Sequence, residues 1–194
     1  MDYIDQLPRM GDHDHSMSMS YGIGRSYRYY RGEVLMCGES PCGAFGCGMS
    51  LTTFNLSCDP VHTHINAQRG AADPPSPAEP IYRRLIVACT VTNTGTLHGD
   101  EVLQVYHVPG ATVRKLAGAQ HPVPLKSLVE FERVSLAPNE ATTWIVSLDP
   151  SKALALTTAN GSKVVYPGEH TVVFTTGSDF GQSVNRTVLV PGAQ

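Results

Sequence analysis

From Leu85 onward the chain alternates apolar and polar residues in short runs, and each run ends in turn-forming residues. That rhythm admits strands and leaves little room for helices. Leu85, Val87, Cys89 and Val91 interleave with Ile86, Ala88, Thr90 and Thr92, the period-two pattern of a strand buried mainly on one face. Asn93-Thr94-Gly95 then closes the run with turn chemistry. Residues 101–108 alternate again, Val102, Gln104, Tyr106 and Val108 against Leu103, Val105 and His107, and stop at Pro109-Gly110. Further strand-like runs cover 125–136, 141–148, 163–166, 170–176 and 184–190, with Pro138-Asn139, Asp149-Pro150, Asn160-Gly161, Pro167-Gly168 and Gly177-Ser178 between them. About seven short strands in roughly 110 residues predict an immunoglobulin-like sandwich. Only 151–156, Ser-Lys-Ala-Leu-Ala-Leu, reads as helix, with Asp149 or Ser151 as its cap.

Composition points the same way. Charged residues are 16% and hydrophobic ones 41% of the 194, with 18 Gly and 14 Pro, which favours short strands and tight turns. No internal repeat of fixed period suggests a solenoid or propeller. Residues 1–32, rich in Gly, Ser, His, Met and Tyr, show no sustained period and read as loop, the end of something larger. Residues 66–81 carry four prolines and read as an exposed loop.

Fourteen basic against seventeen acidic residues leave a formal charge of -3, which offers no footprint for nucleic acid. No apolar run approaches the roughly 18–20 residues of a membrane span, and residues 1–10 are polar, with no apolar signal core.

Five cysteines are present, and Cys37, Cys42, Cys47 and Cys58 fall close together. Zinc, a disulfide and free thiols all stay open for them, although the paired knuckles of a structural zinc site are absent. Sequons at Asn55, Asn160 and Asn185 are candidate glycosylation sites. The pairs Asp12-His13, Asp14-His15 and His62 with His64 are better read as surface polarity than as metal ligands. Glu130 and Glu132, two apart on one strand, read as solvated. Trp144 shares strand phase with Val146 and Leu148, so core packing is expected ahead of a sugar platform.

Two blocks of sequence resemble a known family. The first is Tyr3-Ile4-Asp5-Gln6-Leu7-Pro8, then Gly24-Arg25-Ser26-Tyr27-Arg28-Tyr29-Tyr30, then Phe45-Gly46-Cys47-Gly48-Met49-Ser50-Leu51-Thr52-Thr53-Phe54. The second runs from Val91-Thr92-Asn93-Thr94-Gly95 through Gly99-Asp100-Glu101-Val102-Leu103-Gln104-Val105-Tyr106 and Pro124-Leu125-Lys126-Ser127-Leu128-Val129-Glu130-Phe131-Glu132-Arg133-Val134 to Tyr166-Pro167-Gly168-Glu169-His170. Together they resemble the C-terminal region of family 3 glycoside hydrolases of the β-xylosidase or β-glucosidase type. The chain departs from that pattern at Cys47 and Leu51 and in the insertion Cys37-Gly38-Glu39-Ser40-Pro41-Cys42.

The resemblance implies an all-β chain: a fibronectin type III-like sandwich with an irregular N-terminal extension. Residues 1–45 would be the remnant of an α/β sandwich domain and linker, and residues 46–194 the β-sandwich with its Pro-rich loop. Family catalysis needs two carboxylates in fixed positions. Both come from domains upstream of the matched stretch, so the resemblance carries over no catalytic residue, and no cofactor or metal is expected. The implied role is a non-catalytic accessory domain in plant cell-wall polysaccharide breakdown, supporting the enzyme or bordering its cleft. The alternative is a stand-alone carbohydrate-binding module. Arg25, Tyr27, Arg28, Tyr29 and Tyr30 are the candidates for interdomain packing first and sugar contact second. The implied partners are the upstream catalytic domains and, second, polysaccharide, with neither nucleic acid nor membrane, and the implied location is extracellular.

Overall fold

A computed structural model describes residues 26–29, 36–37, 40–41, 50–64, 84–176 and 182–191. The elements in chain order are α1 (Ser26–Tyr29), β1 (Met36–Cys37), β2 (Ser40–Pro41), β3 (Phe54–Cys58), β4 (His62–His64), β5 (Arg84–Asn93), β6 (Gly99–Pro109) and α2 (Ala111–Gly118). They continue with β7 (Ser127–Leu136), β8 (Ala141–Leu148), α3 (Pro150–Ala153), β9 (Leu156–Thr157), β10 (Lys163–Val164), β11 (Gly168–Thr176) and β12 (Ser183–Val190). One antiparallel sheet has the order β12-β11-β6-β7; in the other, β5 pairs β8 along one edge and β3 and β4 in turn along the other.

The alternation read from the sequence is what joins these sheets. Leu85, Val87, Cys89 and Val91 face inward from β5, and Leu103, Val105, Val172 and Phe174 meet them from β6 and β11 in one core. A register shift between Val105 and Tyr106 leaves Val129 of β7 without an opposite residue, a bulge beside the strand's covered end.

Four local expectations are corrected. The seventh sandwich strand is β3, whose Phe54 and Leu56 are buried while Asn55 and Ser57 are exposed. Residues 163–166 instead give only the two-residue β10, paired with β9, and Tyr166 turns into a satellite cluster with Val113, Ala117 and Leu156. The helix α2 lies where none was expected, because its start is Gly110, with no side-chain cap to announce it. What holds it is burial of Val113 and Ala117, one turn apart on a single face. The expected helix at 151–156 stops at Ala153: Asp149 caps its start, and Leu154 then drops into the core.

The cysteines resolve differently from their clustering. Cys58 pairs with Cys89, its register partner across β3 and β5, and the two Cα atoms are 4.0 Å apart. The flanking bond from Asp59 N–H to the Ala88 carbonyl, 2.9 Å, marks this as a non-hydrogen-bonded pair, the closer of the two antiparallel pairings. Cys37 lies in β1, and Cys42 and Cys47 lie outside the described residues.

At one end of the sandwich Asn93 is 0% exposed and uses its whole hydrogen-bonding capacity. Its Oδ1 accepts from Thr52 Oγ1 at 2.8 Å and Gly95 N–H at 3.0 Å, and its Nδ2 donates to the carbonyls of Leu97 and Leu136 at 2.8 and 3.0 Å. Its backbone N–H donates to Glu140 and its carbonyl accepts from Asn139, both at 2.9 Å. Thr52 fits beside it because Gly95 and Gly99 lack a Cβ that would collide with its side chain. Asn93→Ala strands the buried Thr52 hydroxyl and Leu136 carbonyl and unties the turn at Gly95 and Leu97, and the expected loss is about 3 kcal/mol of unfolding free energy. Urea denaturation checks it, and a loss below 1 kcal/mol would contradict the role assigned to this residue.

Candidate functional site

The central strand β6 is buried on both faces. Leu103, Val105 and His107 point into or beside the core, while Gln104 and Tyr106 point outward and are still only 9% and 3% exposed. What covers Tyr106 is α1. The rings of Tyr27 and Tyr106 meet edge to face, with centroids 6.3 Å apart at 66°. Leu128 N–H donates to the Tyr27 hydroxyl at 3.0 Å, and Leu125 N–H donates to the Arg28 carbonyl at 2.5 Å. The Lys126 ammonium stands 4.6 Å from the Tyr106 ring centroid, and the Tyr106 hydroxyl donates to Gln104 Oε1 at 2.6 Å. Burial, reinforced by Tyr27, pushes the Tyr106 phenol up to about 12.

The segment that receives α1 is held from its other side by Arg114 of α2. Its Nε donates to the Pro109 carbonyl at 2.9 Å and its Nη2 to the Leu125 carbonyl at 2.7 Å. Between α1 and the end of α2 lies an open groove of about 580 Å³, lined by Tyr29, Arg114, Gln120, His121, Pro122 and Leu125 among others. His121 Nδ1–H donates to the Pro122 carbonyl at 3.1 Å, which leaves Nε2 to accept the Tyr166 hydroxyl at 3.0 Å.

Behind Tyr106 two imidazoles are buried together. His170 Nε2–H donates to the Tyr166 carbonyl at 2.8 Å, so His170 Nδ1 is the acceptor and His107 Nε2–H donates to it at 2.9 Å. Burial, then His170 and Arg114, hold His107 down at about 3. Burial also lowers His170 from its ordinary 6.5, against the raising effect of its bond to Tyr166.

Two carboxyl groups are shifted downward. Asp100 is held below the ordinary 3.8 by the Ser135 hydroxyl and Arg133, and Asp149 by Ser151 in the α3 cap. A proton-donating glycosidase acid needs the opposite shift. Glu130 and Glu132 are both exposed on β7. Trp144 is partly buried and packs against the main core.

Among the sequence candidates, Tyr27, Arg28 and Tyr29 form α1, whereas Arg25 and Tyr30 lie outside the described residues, as does the Asp12–His15 stretch. Arg28 turns back on its neighbour, its Nε 3.3 Å from the Tyr27 hydroxyl. His62 and His64 lie in β4. Asn55 sits in β3, Asn160 in the turn joining β9 to β10, and Asn185 in β12; all three are exposed. Reading the sequence alone passed over Tyr106, Arg114, His107 and His170. The signal for Tyr106 and His107 was apolar residues in both phases of residues 102–108, which marks a strand covered on both faces.

Residues 101–178 match the family model of the fibronectin type III-like domain. The chain is 32% identical over 182 residues to an exo-1,4-β-xylosidase of Emericella nidulans, an alignment that spans 92% of this chain and 21% of that enzyme. It is 31% identical over 169 residues to β-glucosidase B of the same organism, spanning 84% of this chain and 16% of the relative. A solved β-glucosidase of Listeria innocua in complex with isofagomine superposes with a TM-score of 0.57 at 26% identity, over 85% of this chain and 20% of that one. The segment 101–178 is therefore a fibronectin type III-like domain, and the sandwich class expected from the alternation is the one observed. It is the fibronectin type III-like region of the family 3 glycoside hydrolases, β-xylosidases and β-glucosidases, and the chain spans about a fifth of the length of these relatives.

Two outcomes are expected from this geometry. Tyr27→Phe keeps the ring on Tyr106 and removes the hydroxyl that accepts from Leu128 N–H and Arg28 Nε, so hydrogen exchange at the Leu128 amide is expected to speed up about tenfold, the equivalent of roughly 1.4 kcal/mol. Unchanged protection would mean that α1 does not seat there. The histidine pair sets a pH response. Both are depressed in the fold, so below 6.5 the unfolded chain binds more protons, and stability is full above 6.5 and declines as pH falls toward the folded values. Denaturation curves at pH 7 and 5.5 are expected to differ by about 1 kcal/mol from His107, with His170 adding in the same direction.

Proposed function

We propose that the chain acts as a non-catalytic accessory domain of a family 3 glycoside hydrolase of the β-xylosidase or β-glucosidase type, working outside the cell on plant cell-wall polysaccharide. In this reading residues 1–45 continue the end of an upstream α/β domain and its linker, and residues 46–194 are the sandwich. The sandwich supports the enzyme or borders its cleft, while the upstream domains supply both catalytic carboxylates. The observation that carries the proposal is the seating of α1 on the outer face of the β12-β11-β6-β7 sheet. A linker fixed at Tyr27 and Arg28 would hold whatever precedes it against that face. Phe131, paired across to Gln104 and 62% exposed, continues the same face beyond Tyr106.

A second reading, a carbohydrate-binding module, is favoured by Tyr29 at the open groove beside α2. Hydrolysis of 4-nitrophenyl β-xyloside and β-glucoside by the purified full chain decides first, with a full-length relative as control. No release above blank is expected, and activity retained after repurification would overturn the accessory reading. Retention of the same chain on insoluble xylan or cellulose would favour the second reading instead.

A further inference from the structure

The three sequons fall on positions that the fold leaves open. In β3 the pattern alternates buried and exposed, and both Asn55 and the hydroxyl residue Ser57 take exposed places; in β12 Asn185 and Thr187 do the same. A shift of one residue in either strand would point the sequon at the core. Asn160 and Ser162 are also exposed, in the turn between β9 and β10.

The local chemistry at Asn160 differs from that of the other two. Its Oδ1 accepts from the Thr158 hydroxyl at 2.5 Å and from Ser162 N–H at 3.1 Å, while Gly161 takes φ +86° at the tip. Those bonds fix the carbonyl end of the amide against the turn, in a residue that is itself exposed. Asn185 instead stands in the row Asn185, Val173, Tyr106, on the face where α1 is seated. Asn55 lies on β3, opposite Thr92 of β5 in a three-strand layer.

The second observation is the bond between Cys58 and Cys89. Two thiols form it by passing two electrons and two protons to a disulfide oxidant, which becomes a dithiol, and that chemistry belongs to oxidising compartments.

We propose that this chain matures in an oxidising secretory compartment and is N-glycosylated at Asn160. The donor class is a lipid pyrophosphate-linked oligosaccharide. Nδ2 of Asn160 forms a bond to the anomeric carbon of the sugar and gives up one proton. The bond from that carbon to the pyrophosphate oxygen breaks, and the lipid pyrophosphate leaves with the electron pair. Ser162 supplies the hydroxyl that the acceptor motif requires.

The test is to direct the full chain into the secretory pathway of a yeast and pool lysate with medium. The pool is treated with peptide N-glycosidase in ¹⁸O-water, and the peptides containing Asn160, Cys58 and Cys89 are mapped by mass. The expected result is an ¹⁸O-labelled Asp at position 160 in the wild type and none in Ser162→Ala, which keeps the backbone N–H that Asn160 accepts. Cys58 and Cys89 are expected to resist alkylation until reduced. An unmodified Asn160, whatever the state of Asn55 and Asn185, overturns the site. Alkylation of Cys58 and Cys89 without reduction overturns the compartment.

Discussion

One buried amide ties the two sheets together. Asn93 ends β5, yet its hydrogen bonds reach Thr52 ahead of β3, the turn that leads into β6, the last carbonyl of β7 and the turn that opens β8. The core between the sheets is apolar and non-directional: it drives association without fixing how one strand end sits against another. A side chain whose donors and acceptors are all filled does fix it, because any slip leaves a buried polar atom unpaired. Gly95 and Gly99 follow from the same constraint, since Thr52 reaches Asn93 only where both neighbours lack a side chain.

At the middle of the sandwich the controlling fact is that β6 is buried on both faces from Leu103 to His107. Its inner side belongs to the core, and its outer side is closed by Tyr27, Lys126 and the segment that Arg114 holds. Burial on both sides explains the histidine pair as well. His107 and His170 have no water to carry a charge, so each ring keeps the neutral tautomer that its partner's bond dictates. The same enclosure that makes a firm seat for α1 therefore makes the domain less stable in acid. A domain of this size can carry that cost, provided its other contacts leave a margin of a few kcal/mol.

The sandwich was legible wherever one face of a strand met water. Residues 85–92, 141–148 and 184–190 read as strands, and β5, β8 and β12 run through them within about two residues at each end. Legibility failed in three ways, each physical. Helix α2 has a glycine at its start and is stabilised by two tertiary contacts, so no local pattern marked it. Residues 163–166 have strand composition but find a partner for only two residues, and Tyr166 is more stable among Val113, Ala117 and Leu156. The Cys58–Cys89 pair was hidden by the crowding of Cys58 with Cys37, Cys42 and Cys47, because pairing across strands depends on register, which spacing along the chain does not report. The candidate site was half legible: the tyrosines of α1 stood out by composition, whereas their receiving residues looked like ordinary strand.

The outer faces of the two sheets are not equivalent, and the difference bears on what can approach each. The β12-β11-β6-β7 face carries Tyr106, Phe131 and Val173 and already holds α1. The face of β5 and β8 carries Thr90, Thr143, Ala88 and Ile145, with Thr90 and Thr143 hydrogen-bonded to each other at 3.1 Å. Aromatic side chains give large contact area and directional contacts, and small hydroxyl residues give neither. A polypeptide neighbour therefore has more to gain on the first face. Asn185 shares that face and would crowd such a neighbour if it carried a glycan, whereas the turn at Asn160 joins β9 and β10, which pair with each other in a separate two-stranded sheet. The aromatic face and the Asn160 turn therefore belong to different sheets of the fold.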